Sequence, residues 1–201
     1  MAALIATVLE QARAMPVLES LAVILAVLYL FLAIRQNIWC WLCAGISTLI
    51  YVGLFIEARL YMESVLNAFY FAMAVYGWYV WRYEGGDDTG VPVTMWPVAR
   101  HAAAITAIAA ISLLNGFALA TWTDAAFPYV DSLTTWAAIW TTFLVARKVL
   151  ENWGYWLVID IASIYIYWNR GLELTALLFA VYVIMIPFGI IAWRRSMAER
   201  T

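Results

Sequence analysis

The stretch WGYWLVIDIASIYIY, Trp153–Tyr167, places one carboxylate, Asp160, in the middle of an apolar run long enough to cross a bilayer. Asp at the centre of a membrane helix costs about 2.5–3.5 kcal/mol on insertion scales, so it is retained where a cavity, a partner or a cation stabilises it. At helical spacing Trp156, Asp160, Ser163 and Tyr167 share one face, which aligns an aromatic surface, an anion and two hydroxyls. Such a stripe suits a cationic, ring-bearing ligand.

The whole chain has the same apolar character. Its 201 residues are 67% apolar and 12% charged, with a mean hydropathy of +0.87. A water-soluble domain carries about 25% charged residues, so the expected class is an all-α polytopic membrane protein. The net charge of -2 comes without a basic patch, which argues against nucleic-acid binding. Residues 1–16, MAALIATVLEQARAMP, contain Glu10 and Arg13 and lack a basic start with a clean cleavage site. They read as a retained amphipathic lead-in rather than a signal peptide.

Seven runs are long enough to span: Val17–Ile34, Ile38–Ile56, Leu60–Trp81, Val98–Leu119, Ser132–Val145, Asn152–Tyr167 and Leu172–Trp193. Short connections join the first three and the last three. Between these trios lies a polar link, residues 82–97, opening with RYEGGDDTGVP, and a plain Ala/Ile-rich linker helix over residues 98–119. Residues 194–201 form a basic tail.

Shifting the chain by 112 positions aligns Arg35–Arg82 with Arg147–Arg194 without a gap. Arg35, Trp41, Leu60, Leu66, Ala68, Tyr70, Met73, Gly77, Trp81 and Arg82 then fall on identical residue types. Shared hydrophobicity alone does not account for the recurring Gly-x-x-x-Trp-Arg helix ends. Three helices plus a linker make four crossings, so the second trio enters from the same side as the first. The expected architecture is a 3+1+3 arrangement of parallel repeats over residues 17–81 and 132–193, with a site between them near mid-membrane.

Basic residues set the expected orientation. Arg35, Arg82, Arg100, Arg147, Lys148, Arg194, Arg195 and Arg200 lie on one side, and Arg13, Arg59 and Arg170 on the other. The positive-inside rule puts the N-terminus outside and the C-terminus in the cytoplasm. Trp39, Trp41, Trp78, Trp81, Trp153 and Trp193 near helix ends read by default as interfacial anchors.

Under the same shift Asp160 matches Thr48, so Thr48 with Tyr51 faces Asp160 with Ser163. Asn67 and Tyr70 share a face of the third helix about 10–15 Å from its outer end, a comparable depth. Tyr182 repeats Tyr70. Each hydroxyl or amide taken singly also fits an interhelical hydrogen bond, but at one depth they read together as a substrate site. Trp136 and Trp140, one turn apart, would form a stacking ladder if turned inward; lipid contact or packing is the other reading. Glu63, three residues into the third helix, reaches either the outer interface or entering substrate.

Cys40-Trp-Leu-Cys43 has redox-motif spacing, yet no second cysteine pair stands ready to exchange electrons, so both read as small packing residues. The one histidine, His101, sits beside Arg100 at a helix end. Neither metal nor nucleophilic catalysis has its parts, and no cofactor is expected.

With these residues in view the chain resembles the PnuC family of bacterial vitamin transporters over nearly its whole length. The resemblance is carried by RQNIWCW (Arg35–Trp41), LYMESVLNAFYFAMAVYGWYVW (Leu60–Trp81), VDSLTTW, and RKVLENWGYWLVID (Arg147–Asp160). It implies a seven-helix fold similar to full-length SWEET transporters, often a homotrimer, in the bacterial inner membrane. It implies facilitated diffusion of nicotinamide riboside, trapped afterwards by a phosphorylating cytosolic kinase. In those relatives a Trp-x-x-x-Asn pair of the sixth helix contacts the nicotinamide; the matching positions here are Trp156 and Asp160. Asp accepts hydrogen bonds only and adds a full charge, which would suit thiamine, the substrate of PnuT relatives. Asn67 stands where some riboside transporters carry Gln. Both vitamins stay open, and a non-transporting membrane assembly protein is the remote alternative.

Overall fold

Local signals set the helix ends. Pro16 and Pro97 stand immediately before helices and Pro128 occupies a first helical turn, where a fixed φ and a missing N–H cost nothing. The computed structural model describes residues 7, 10–11, 15–57, 61–84, 90–124 and 127–199, except the side chains of residues 61–63; the side chain of Glu63 thus lies outside the described residues. Its long helices are α1 (Val17–Ile34), α2 (Trp39–Glu57), α3 (Tyr61–Tyr83), α4 (Val98–Trp122), α5 (Pro128–Ala146), α6 (Asn152–Asn169) and α7 (Glu173–Ala198). Pro128 lets α5 begin a turn before the expected Ser132. α7 continues through Pro187 into the basic tail.

By length and composition α1, α2, α4 and α7 are apolar enough to cross a membrane. α3, α5 and α6 are as long but more polar. Among the described residues, α5 and α6 bury Ser132, Thr141, Thr142, Asn152, Asp160 and Ser163.

The helices touch in a closed circuit. α1 packs on α2, α2 on α3, α3 on α5, α5 on α6, α6 on α7, and α7 back on α1, while α4 lies along α5. Local geometry recurs at the 112-residue spacing seen in the sequence. α1 and α5 each end with the same pair of backbone bonds: Gln36 N–H to Ala33 and Asn37 N–H to Leu32, then Lys148 N–H to Val145 and Val149 N–H to Leu144. This closure satisfies the last helical carbonyls and puts Gln36 and Lys148 at φ of 53° and 49°.

The end-of-helix tryptophans depart from the interfacial expectation. Trp39 is exposed, but Trp41, Trp81, Trp153 and Trp193 are all buried, at 5% exposure or less. Trp41 meets Trp81, and Trp153 meets Trp193, at the same 5.5 Å and 86°; Trp81 and Trp193 meet at 6.4 Å. The physical reason is a glycine notch. A Cβ on Gly77 would come within 2.3 Å of the Trp41 ring, and one on Gly189 within 2.4 Å of the Trp153 ring. In lipid, where exclusion of water does not drive helices together, such close packing is what holds them. Indole N–H groups also tie the helices: Trp81 donates to Ala146 O and Trp193 to Ala33 O, both at 3.0 Å.

The flanking segments are strapped to loops. Thr94 N–H donates to Lys148 O at 3.0 Å and Leu150 N–H to Thr94 O at 2.8 Å, fastening the end of the link to the α5–α6 turn. At the opposite end Gln11 of the lead-in bonds to Gly171, Glu173 and Leu174.

Candidate functional site

α6 starts at Asn152, whose Nδ2 donates to Val149 O at 2.6 Å and so fixes the side chain at the first turn. From there Asn152, Trp156 and Asp160 follow at four-residue steps along one face. That face borders a cavity of about 200 Å³ between α6, α1 and α7. Trp153 and, from α5, Val145 complete the α6 side. α1 contributes Ala26, Tyr29, Leu30 and Ala33. α7 contributes Phe179, Tyr182 and Ile186.

Asp160 is only 3% exposed, and among the described residues it has neither an ion pair nor a hydrogen bond. Its neighbours on this side are aromatic or aliphatic. An ionised carboxylate removed from water without a partner is strongly disfavoured. A cation entering the cavity would supply the missing countercharge, and the adjacent Trp156 and Tyr182 rings offer it π faces.

Of the residues singled out in the sequence, Trp156, Asp160 and Tyr182 line this cavity. Ser163 is buried one turn beyond Asp160 on α6. Thr48 turns its hydroxyl back to Ala44 O at 2.8 Å and Gly45 O at 3.1 Å, the usual resting bond of a helical threonine. Tyr51 stacks on Phe55 at 5.5 Å. Asn67 is half-buried on α3, and Tyr70 packs edge-on against Phe69 at 5.8 Å. Trp140 lies elsewhere, against Trp96 at 6.0 Å and Phe143 at 5.7 Å. Trp136 precedes it by one turn, its buried Nε1 unpartnered among the described residues. The stacking ladder expected of this pair is therefore not part of the cavity wall.

Sequence reasoning missed Asn152, Tyr29 and Phe179. Asn152 sits in a helix start where an amide reads as a cap, and past Glu19 and Ser20 in its first turn α1 offers Tyr29 alone as a polar group. Position alone brings α1 to the cavity. Cys40 and Cys43 are buried free thiols. His101 accepts or donates at Nδ1 to Tyr155 Oη at 3.0 Å and stands 3.8 Å from Glu151, tying α4 to α6 away from the cavity. Among the described residues no His, Cys, Asp or Glu cluster is placed to hold a metal ion.

The family described as nicotinamide mononucleotide transporter matches residues 16–195. The nicotinamide riboside transporter PnuC of Escherichia coli K12 is 24% identical over 208 residues, covering 91% of this chain and 87% of the relative. The riboflavin/roseoflavin transporter RibM of Streptomyces davaonensis is 26% identical over 178 residues, covering 85% and 81%. A crystal structure of the vitamin B3 transporter PnuC superposes with a TM-score of 0.72 at 20% identity, covering 98% of this chain and 91% of that one.

Proposed function

The chain belongs to the nicotinamide mononucleotide transporter family, the PnuC family of vitamin-type membrane transporters, and we propose that it carries a cationic vitamin inward by facilitated diffusion, nicotinamide riboside in the first place. The observation that carries this reading is Asp160, buried on the cavity wall with Trp156 and without an ion pair among the described residues. A permanently charged pyridinium ring would satisfy the carboxylate and stack on the indole, an attraction of about 2 kcal/mol once desolvated. Facilitated diffusion fits because Asp160 is the one acid among the buried residues described, and His101 lies away from the cavity, so the described residues offer Asp160 no acid or histidine as a relay partner.

Thiamine is the second reading, favoured by the same residue. Its thiazolium carries the charge and its aminopyrimidine donates, whereas Asp160 only accepts. The flavins named for RibM are uncharged at neutral pH and would leave Asp160 without a countercharge. A purely structural assembly role leaves the unpaired acid without a purpose.

The proposed architecture is the 3+1+3 arrangement of parallel repeats, similar to SWEET transporters: residues 17–81 and 132–193 around the linker helix at 98–119. The bonds and indole contacts recurring at 112 residues support it. The proposed setting is the bacterial inner membrane, N-terminus periplasmic and C-terminus cytoplasmic, as a homotrimer, with a cytosolic kinase trapping the product. Of the ten residues proposed to meet substrate, Trp156, Asp160 and Tyr182 come first. Thr48, Tyr51, Asn67, Tyr70, Trp136, Trp140 and Ser163 are assigned to the remainder of the path. The deciding experiment is direct binding of nicotinamide riboside, thiamine and riboflavin to the purified protein, wild type and Asp160→Asn. Saturable binding of a cationic vitamin supports transport; no binding of any of the three rejects it.

A further inference from the structure

Two residues lining the cavity each bury a polar atom that has no partner among the described residues. Asn152 is 0% exposed, and while its Nδ2 is held by Val149 O, its Oδ1 has no hydrogen-bond partner among the described residues. The next residue, Trp153, is 2% exposed, and its Nε1–H has no partner among the described residues. Both residues line the cavity. Buried polar groups are nearly always paired, so each orphan asks for an explanation. One atom accepts and the other donates. A hydroxyl is the small group that both donates to a carbonyl oxygen and accepts from an N–H.

The geometry points to a hydroxyl-recognition site here, with Asn152 Oδ1 accepting from, and Trp153 Nε1 donating to, an alcohol on the arm of the substrate. This rests on the cavity being the substrate site. Asn152 and Asp160 are eight residues apart on α6, about 12 Å along the axis at 1.5 Å per residue. The ligand class is therefore a flat cationic ring, held at Trp156 and Asp160, bearing a hydroxylated arm that reaches the first turn of α6. Both atoms are fully shielded, so binding in this mode requires the side chains over them to shift.

The two halves of the chain locate the specialisation. Trp153 repeats Trp41, but Asn152, Trp156 and Asp160 stand where the earlier segment has Cys40, Ala44 and Thr48. The halves diverge at the cavity-facing positions of α6. Trp41 also keeps an unpartnered Nε1, yet it has Cys40 beside it and is not among the residues lining this cavity. An amide next to the indole is what the second half adds.

The test is a cycle between residue and ligand, read as binding to the purified full chain. The ligands are nicotinamide riboside and its 5′-deoxy analogue, and thiamine and its analogue with ethyl in place of hydroxyethyl. Asn152→Ala should weaken the hydroxylated ligand about ten-fold, or about 1.4 kcal/mol, while leaving the deoxygenated one nearly unchanged. Asn152→Ala also removes the bond to Val149 and could unfold the turn. Trp153→Phe keeps the ring and loses only the N–H, and it should show a three- to five-fold loss confined to the hydroxylated ligand. Equal loss for both ligands, or no loss, overturns the site. So does an ordered water only, seen as a lower melting temperature with binding unchanged. If wild type binds neither vitamin the cavity reading itself fails; if it binds without coupling to the hydroxyl, only this site does.

Discussion

Lys148 donates from Nζ to Gln36 Oε1 at 3.3 Å, and these residues stand 112 positions apart at the same place in their turns, each with a left-handed backbone. Non-glycine residues there cost about 1–2 kcal/mol each, and glycine would be the ordinary choice. The side chains give a reason to keep them. They join the α1–α2 turn to the α5–α6 turn, and Lys148 Nζ also lies 4.4 Å from the centre of the Trp81 ring. The contact lies at the end of the bundle where the tryptophans close the core.

The Lys148 ammonium already makes this bond charge-assisted, and Gln36→Glu turns it into an ion pair, adding up to about 1 kcal/mol. The expected outcome is a melting temperature higher by roughly 2–4 °C and slower uptake, because the turns part less readily. Faster uptake together with a higher melting temperature would contradict a link between this contact and the transport cycle.

Asp160→Asn separates the two vitamins. For thiamine the loss should be about 1.5–3 kcal/mol, or ten- to a hundred-fold in affinity. For nicotinamide riboside the loss should be smaller, no more than a few-fold, because the Asn amide gives up the countercharge but can both donate to and accept from the carboxamide. Trp156→Ala should weaken either ligand. Titration calorimetry on the wild type and both variants reads the result, and unchanged affinity for both ligands in Asp160→Asn would remove Asp160 from the site.

Gly189→Ala drives a methyl into the Trp153 ring, where the built Cβ lies 2.4 Å away. Overpacking of this kind costs about 1–3 kcal/mol. Gly154→Ala meets nothing within 4 Å and should raise stability by up to about 1 kcal/mol, the helix preference of Ala over Gly. Thermal denaturation of the pair, with uptake measured in parallel, checks the notch; equal melting temperatures would refute it.

Energy coupling should be absent. In proteoliposomes labelled substrate should equilibrate and stop, with no effect of proton or sodium ionophores. Accumulation above equilibrium that an ionophore abolishes would replace the facilitator with a symporter.

A reporter fused to Thr201 should be active only in the cytoplasm, as eight basic residues against three require. Alkaline phosphatase activity at that position would reverse the orientation and the direction assigned to each half of the path.

Seven helical runs and the 112-residue recurrence were legible in the amino-acid order, because helix length and helix-end chemistry are local properties. The lone Asp160 was legible for the same reason: a charge inside an apolar run stands out wherever the run ends up. Tertiary packing decided the rest. Trp41, Trp81, Trp153 and Trp193 read equally well as interfacial anchors or as core, and only the glycine on a neighbouring helix, by removing a Cβ at 2.3–2.4 Å, sends Trp41 and Trp153 inward. Thr48 shared its register with Asp160 but is satisfied by its own helix. The cavity opens along the seam of α1 with α6 and α7, where apolar Ala26, Leu30 and Ala33 carry no signal of a site. Asn152 likewise became a candidate only when its carbonyl oxygen was seen buried there without a partner, since whether a polar atom is satisfied depends on what distant segments bring to it.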